Sequence, residues 1–435
     1  MKRTVVGVLA LATLGAVSLS ACSNPYGGPS FMSPQSATSP RSAAHRVVPA
    51  GSHYKVLYDF SGGSDGADPY SGLTEVNGLL YGTTQSGGGA SGCYRGCGTV
   101  YSISTTGAEN VLHSFAGGSD GLAPDAGLTF VKGLLYGTTG SGGGTGCGGG
   151  GCGTVYSIST SGVETVLHSF GPHDGISPWS GLTYVNGTLY GTTLHGVGAG
   201  CGGEGCGTVY SITTSGAEKV LHQFGRHGDG AWPAADLVEM KGRLYGTTSE
   251  GGGTGCGGAG CGTVYTIGTT GVERVLHGFA GGSDGADPGS LTKVNGTLYG
   301  TTQGGGDSSK CPSGCGTVYS ITPKGVETVL YRFRGRSDGT DPYGGLIDVS
   351  GTLYGTTAVG GGTDCDGGRG CGTIYRVSTS GTEKVLHRFV DDRGFEFPTA
   401  PLIFVNGTLY GTTTEGGQGC YGPGCGTVFA QSPLP

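Results

Sequence analysis

From Gly181 to Phe224 the apolar residues come in short runs, each the length of a strand, broken by glycine and small polar residues. Residues 181–185 read as a first strand, Asn186-Gly187 as a two-residue turn, and 188–193 as a second strand. Asn-Gly tolerates the positive backbone angles of a type I′ hairpin, which makes this the strongest local signal in the stretch. A glycine-cysteine loop follows, then a third strand over 207–212, a turn at Thr214-Ser215-Gly216, and a fourth strand over 219–224. No helical periodicity interrupts this order.

The same unit recurs seven times. Tyr-Gly-Thr-Thr begins at Tyr81, Tyr136, Tyr190, Tyr245, Tyr299, Tyr354 and Tyr410, each followed by a Cys-Gly-Thr. Val-Leu-x-x-Phe starts at Val56, Val111, Val166, Val220, Val275, Val329 and Val385. Four-stranded repeats at a fixed period predict stacked blades, and an all-β, seven-bladed β-propeller of antiparallel blades is the expected fold. A flat solenoid is the structural alternative. The chain ends favour the ring. The last unit stops after its third strand, at 426–430, and the first opens with an orphan fourth strand, at 55–60. Joined, they complete a seventh blade and remove two exposed edges. The expected boundaries are a signal over 1–21, a tether over 22–53, the propeller over 54–431 and a tail over 432–435.

Glycine fills 99 of 435 positions without a collagen period, and the net charge is −7 with only 12% charged residues. That balance argues against a nucleic-acid partner, which would need a basic face. Lys2 and Arg3 precede an apolar stretch from Val5 to Leu19, too short to span a bilayer comfortably, and read as an export signal. Leu19-Ser20-Ala21-Cys22 resembles the lipobox of bacterial lipoproteins, which implies lipidation of Cys22 and a membrane partner through that lipid. The absence of Asp after Cys22 implies release to an outer membrane, if the cell has one. The Ser/Pro/Ala-rich stretch that follows cannot bury a core and should act as a tether with a reach on the order of 30 Å.

Cys22 accounts for the odd one of 15 cysteines. The rest fall into one close pair per unit: Cys93/Cys97, Cys147/Cys152, Cys201/Cys206, Cys256/Cys261, Cys311/Cys315, Cys365/Cys371 and Cys420/Cys425. In an exported protein these read as seven short disulfides, each holding its own glycine-rich loop. Zinc is the rival reading, but each loop offers two ligands where a site usually needs four.

Leu-Tyr-Gly-Thr-Thr, Gly-Thr-Val-Tyr and Val-Leu-x-x-Phe, in order and seven times over residues 54 to 431, resemble the GloVer tandem-repeat family of bacterial surface proteins. The resemblance implies a propeller on an anchored protein and no assigned activity. The blade also resembles those of quinone-cofactor propellers, but their later tryptophan is missing, so no cofactor is expected.

Several patterns mimic catalytic motifs. Gly62 to Gly66, Gly117 to Gly121, Gly281 to Gly285 and Gly335 to Gly339 fit a nucleophile elbow without the helix it needs, and read as turns. Gly144 to Gly149 fits a dinucleotide fingerprint, again without a helix. Asn186, Asn295 and Asn406 fit a glycosylation pattern but are explained as hairpin turns. His113, His168, His222, His277 and His387 share one fourth-strand position with Tyr58 and Tyr331, which suggests packing and hydrogen bonding between blades rather than metal ligation. Asp65, Asp120, Asp174, Asp229, Asp284 and Asp338 each precede a glycine, as turn residues or as a weak calcium rim. No metal centre and no catalytic residue are assigned.

Ligand binding is expected where the repeat breaks. Trp179 and Trp232, the only two tryptophans, fall in successive inter-blade loops, with His173 and His227 beside them and His195 in the cysteine loop between. Exposed tryptophan offers a flat apolar face for a sugar ring. The expected function is a monomeric, lipid-anchored, exported binding module for a glycan or a surface protein. The alternative is an envelope polysaccharide hydrolase or lyase, which ring symmetry disfavours because catalysis needs a unique constellation.

Overall fold

The structure, a computed structural model, describes residues 53–432 apart from 197, 199, 226–227, 307–310, 364, 366–367, 392–395, 418–419 and 421–423. The signal, Cys22 and nearly all of the tether lie outside the described residues, as does His227.

Seven antiparallel sheets form seven blades in a ring, a seven-bladed β-propeller. Blade 1 runs from Thr74–Val76 through Leu79–Thr84 and Thr99–Ser104 to Glu109–Ser114, inner strand to outer strand. Blades 2 to 6 repeat it, blade 5 adding a short edge strand, Ala286–Pro288. Blade 7 is composite. Ile403–Val405, Thr408–Thr413 and Thr427–Gln431 supply three strands, and Tyr54–Asp59 the outer one, paired antiparallel from Tyr54↔Gln431 to Asp59↔Thr427. The expected closure is present, shifted by one residue on each strand. Inner strands are shorter than expected: Thr183–Val185 has three residues where five were assigned. Gly181 has left the ladder to donate its amide to Asp236 of the next blade, 2.6 Å away.

The hairpins follow from the turn chemistry. Asn186 and Gly187 have φ of 49° and 96°, as a type I′ turn requires, and Lys132, Lys241 and Ser350 adopt the same left-handed conformation at the equivalent position. The elbow-like segments are turns: the Gly62 amide donates to Gly66 O, and Gly117 to Gly121 O.

Each position of Tyr-Gly-Thr-Thr has a distinct packing role. The tyrosine is buried against the next blade. A β carbon on Gly191 would lie 2.5 Å from the Tyr210 hydroxyl, so only glycine lets the third-strand tyrosine cross the sheet. The first threonine donates to a carbonyl of the next blade, as Thr192 does to Pro233 O at 2.7 Å, and Thr412 to Ser71 O closes that series around the ring. The second bonds its own blade's third strand, as in Thr193 to Thr208 at 2.8 Å.

The core is correspondingly divided between blades. In one such cluster Val100 and Phe115 of blade 1 pack on Leu128, Leu135, Tyr156 and Ile158 of blade 2, with the Phe115 and Tyr156 rings edge-to-face at 5.2 Å. Burying each large side chain contributes roughly 1.5–3 kcal/mol, so the ring is held by its junctions and no blade is a complete core.

The seven cysteine pairs are disulfides: Cys93–Cys97, Cys147–Cys152, Cys201–Cys206, Cys256–Cys261, Cys311–Cys315, Cys365–Cys371 and Cys420–Cys425, with Cα–Cα distances of 5.0–5.4 Å. Their expected role, confined to the glycine loops, is corrected for the second member of each pair. Cys97, Cys152, Cys206, Cys261, Cys315, Cys371 and Cys425 are only 0–1% exposed, and each belongs to one of the seven junction clusters. Cys152 of blade 2, for example, shares its cluster with Val155 and Phe170 and with Tyr210 of blade 3. The cause is position. Each of these cysteines stands directly before the Gly-Thr that opens a third strand, where the chain enters the junction. Of their partners, only Cys365 is buried as deeply. Each disulfide therefore ties its loop to the core between two blades, and the inner sulfurs are packing groups closed to any ligand. The pairs fit an oxidising, extracellular setting. Among the described residues no helix is long and apolar enough to cross a membrane.

Candidate functional site

The loops leaving the outer strands and the cysteine loops share one rim. Ala67 bridges Ser86, Leu122 bridges Ser141, and Ile176 bridges His195, each joining an inter-blade loop to the following cysteine loop. The disulfides sit against the start of the same loops. A β carbon at Gly117 would touch both sulfurs of Cys93–Cys97 at 3.4 Å, and Gly281 stands in the same relation to Cys256–Cys261.

From this rim each chain dives to an inner strand, and the inner strands touch one another all round the axis, Thr74–Val76 meeting Ile403–Val405 at the seam. The residues just before those strands therefore converge on the mouth of the axial channel. Tyr70 of blade 1 lies within electrostatic reach of Asp68, Asp125, Tyr343 and Glu415, and Tyr343 of blade 6 within reach of Asp287 and Asp125. Asp125 belongs to blade 2 and Tyr343 to blade 6, so this electrostatic influence spans non-adjacent blades. Asp125 accepts a 2.6 Å hydrogen bond from Gln85 Nε2 of blade 1. Trp179 of blade 3 closes the group: a β carbon on Gly140 would sit 2.8 Å from Trp179 Nε1 and 2.9 Å from Asp125 Oδ2.

Burial dominates the electrostatics here. It raises the Asp125 carboxyl to about 7, aided by Asp68 and opposed by the Gln85 bond. Asp287 and Asp341 are raised to about 6 by burial. Asp68, also raised by burial, is opposed by Arg95 at 3.5 Å. The mouth thus combines three aromatic rings with several carboxyl groups.

The structure separates the residues singled out in the sequence. Trp179 is half-buried at the mouth. Trp232 and His195 instead pack on each other, ring centroids 6.0 Å apart, with His195 only 2% exposed and its Nδ1 3.9 Å from Glu204. Burial lowers the pKa of His195. Trp232 also holds φ at 59° immediately before Pro233, a left-handed conformation unfavourable for a bulky residue. His173 is exposed on the outer rim. Tyr70, Asp125 and Tyr343 were not anticipated. They share the register position of Trp179, one residue after the loop proline, where the other blades carry Ala234, Gly289 and Thr399. Variation at that single position was the available signal.

A second arrangement repeats at the outer edge of the blade junctions. The fourth-strand residue bonds the aspartate of the loop that follows it: His113 to Asp120 at 3.3 Å, His168 to Asp174 at 2.9 Å, His222 to Asp229 at 3.2 Å, Tyr58 to Asp65 at 3.0 Å and Tyr331 to Asp338 at 2.5 Å. This accounts for the histidine-tyrosine interchange. A glutamate from the next blade's outer strand faces each pair. Burial raises Glu109, Glu164, Glu218, Glu273, Glu327 and Glu383 to about 7, with the neighbouring aspartate adding to the shift. Burial pushes Asp174 upward too, but bonds from His168 and the Gly171 amide bring it below its ordinary value.

The sequence matches the Gloeobacter/Verrucomicrobia repeat over residues 145–367 and again over 308–434. The chain belongs to that family. No curated protein matches this Gloeobacter/Verrucomicrobia repeat chain in sequence. Among solved structures it is similar to the computationally designed Ika8 protein, at 15% identity and a TM-score of 0.48, covering 87% of this chain and 98% of that one. It is also similar to BamB from Moraxella catarrhalis, at 12% identity and 0.40 over 83% and 81%, and to a puromycin hydrolase, at 12% and 0.48 over 80% and 50%.

Proposed function

We propose that this propeller is a non-catalytic carbohydrate-binding module, tethered to the cell envelope by a lipid on Cys22, with its ligand site at the axial mouth. The convergence of Tyr70, Trp179 and Tyr343 from three blades around Asp125 carries the reading. Aromatic faces stack on the C–H faces of a sugar ring, while Asp125 and Gln85 offer an acceptor and a donor for its hydroxyls. The seven disulfides support export, and Leu19–Cys22 supports the anchor. Cys22→Ala should move the protein from the membrane fraction to the soluble one, and retention in the membrane would overturn the anchor.

One observation favours a second reading, a polysaccharide hydrolase or lyase. Asp125 titrates near 7 beside Asp68, as a general acid paired with a second carboxylate would. A polysaccharide binding screen with product release followed in parallel separates the two. Saturable binding without product, lost in Trp179→Ala and Tyr343→Ala at an unchanged thermal midpoint, is the expected result. Turnover abolished by Asp125→Asn would instead establish the enzyme.

A further inference from the structure

The outer junctions hold a ligand set that the carbohydrate reading does not use. We propose that His113–Asp120–Glu164, His168–Asp174–Glu218 and His277–Asp284–Glu327 are three binding sites for a divalent transition-metal ion of the zinc type, each joining one blade to the next. In each set one imidazole nitrogen and two carboxylate oxygens lie within 4.8 Å of one another. Zinc bonds of about 2.0–2.2 Å would place tetrahedral ligands roughly 3.4 Å apart, so small side-chain rotations close the site and leave a fourth position for water.

One further observation bears on a cation. The Glu164, Glu218 and Glu327 Oε1 atoms are buried with no hydrogen-bond partner among the described residues, as are those of Glu109, Glu273 and Glu383, and at the first three a histidine-aspartate pair stands close enough to share a cation. Of the junctions outside the set, His222, Asp229 and Glu273 carry the same residue types in a wider arrangement, and Tyr58 and Tyr331 stand in place of the histidine. Where Tyr331 replaces histidine, Arg334 and Arg388 bring positive charge to Glu383, two guanidinium groups where Glu327 of the third site has Arg332 alone. At the seam, where Tyr54 replaces glutamate, the tyrosine stacks on His387. Imidazole with two carboxylates is a borderline donor set that suits zinc better than calcium, which prefers six or more oxygens. On binding, Nε2 gives up its proton, the imidazole becoming the Nδ1 tautomer, and the Nε2–aspartate hydrogen bond gives way to two metal bonds.

Zinc content of the intact, disulfide-bonded protein after dialysis, followed by calorimetric titration with zinc alone, tests the assignment. At least three ions per chain are expected, with the thermal midpoint rising as they bind. Combined H113Y, H168Y and H277Y substitutions keep the hydrogen bond to aspartate, as Tyr58 and Tyr331 do natively, and should fold while losing three ions. Tyr58→His, beside Asp65 and Glu109, should add one. Fewer than one ion per chain, or uptake by the triple variant equal to that of the parent, would overturn the proposal.

Discussion

The Tyr54 ring lies flat on the His387 imidazole, centroids 3.8 Å apart and planes 9° from parallel. Tyr54 is the first residue of the strand that closes the ring, and His387 stands on the outer strand of blade 6. In the other six outer strands that first position is glutamate. The chain thus places a glutamate at six junctions and an aromatic ring at its seam, where two ends separated by most of the sequence must find each other. Tyr54 also packs edge-on against Phe389 at 5.6 Å and tilted on Phe429 at 5.5 Å. An aromatic cluster suits that place because it contributes roughly 0.5–1.5 kcal/mol per ring pair beyond area burial.

Tyr54→Ala should therefore destabilise the whole ring by about 3 kcal/mol, the cost of an aromatic truncation at a packed site. Chemical denaturation should show one cooperative transition moved to lower denaturant. Removal of residues 1–61 should have a larger effect of the same kind. A truncated chain that melts at the parent temperature would show that the closing strand contributes nothing.

The third-strand tyrosines Tyr101, Tyr156, Tyr210, Tyr265, Tyr319 and Tyr375 are fully buried, with hydroxyls that find no partner among the described residues. Blade 7 carries Phe429 at the equivalent position, and Gly411 meets its ring as Gly191 meets Tyr210. The site needs the ring and not the hydroxyl. Tyr210→Phe should be neutral or stabilising by up to about 1 kcal/mol, since an unmade buried hydrogen bond is removed. Gly191→Ala should cost about 3 kcal/mol through overpacking against the same ring. Equilibrium unfolding of the two variants checks both signs.

Stability should depend on pH in an unusual direction. Six junction glutamates and Asp125 are raised to about 7, so the folded state holds protons that the unfolded chain releases above about 4.5. Their contribution is complete below pH 4.5 and is lost as pH rises through 7. Two groups oppose it: His195, and His387, which burial lowers to about 4, so the unfolded chain gains protons below 6.5. The carboxyls outnumber these histidines. With a chelator present, the thermal midpoint should fall by at least a few degrees between pH 5.5 and pH 8. An unchanged or rising midpoint would mean that the junction glutamates are solvated and ionised.

How much was legible in the chain itself depends on the range of the interaction. The hairpin turns, the strand order and the cysteine pairings lie within one repeat, and seven copies of the same local solution made them readable. That the second sulfur of each pair would be core was not readable, because the side chains burying it come partly from the next blade. Ring closure was legible for a different reason: a repeat array whose first strand, from Tyr54, is an outer one and whose last, to Gln431, is a third one has one economical way to satisfy both edges. The junction pairs were half legible, since His and Tyr alternate at one position and their aspartate follows within seven residues. Their glutamate, one blade further on, was not.

The axial mouth was decided by tertiary structure. Tyr70, Asp125, Trp179 and Tyr343 come from blades 1, 2, 3 and 6, and although each follows its loop proline, nothing local brings them together. They meet because seven blades of one width close a circle small enough for the residues entering the inner strands to reach across it. The same curvature left Trp232, alike in the sequence to Trp179 but placed before its loop proline, to pack on His195. One residue of register before the proline or after it decides whether a tryptophan packs the rim or faces the channel.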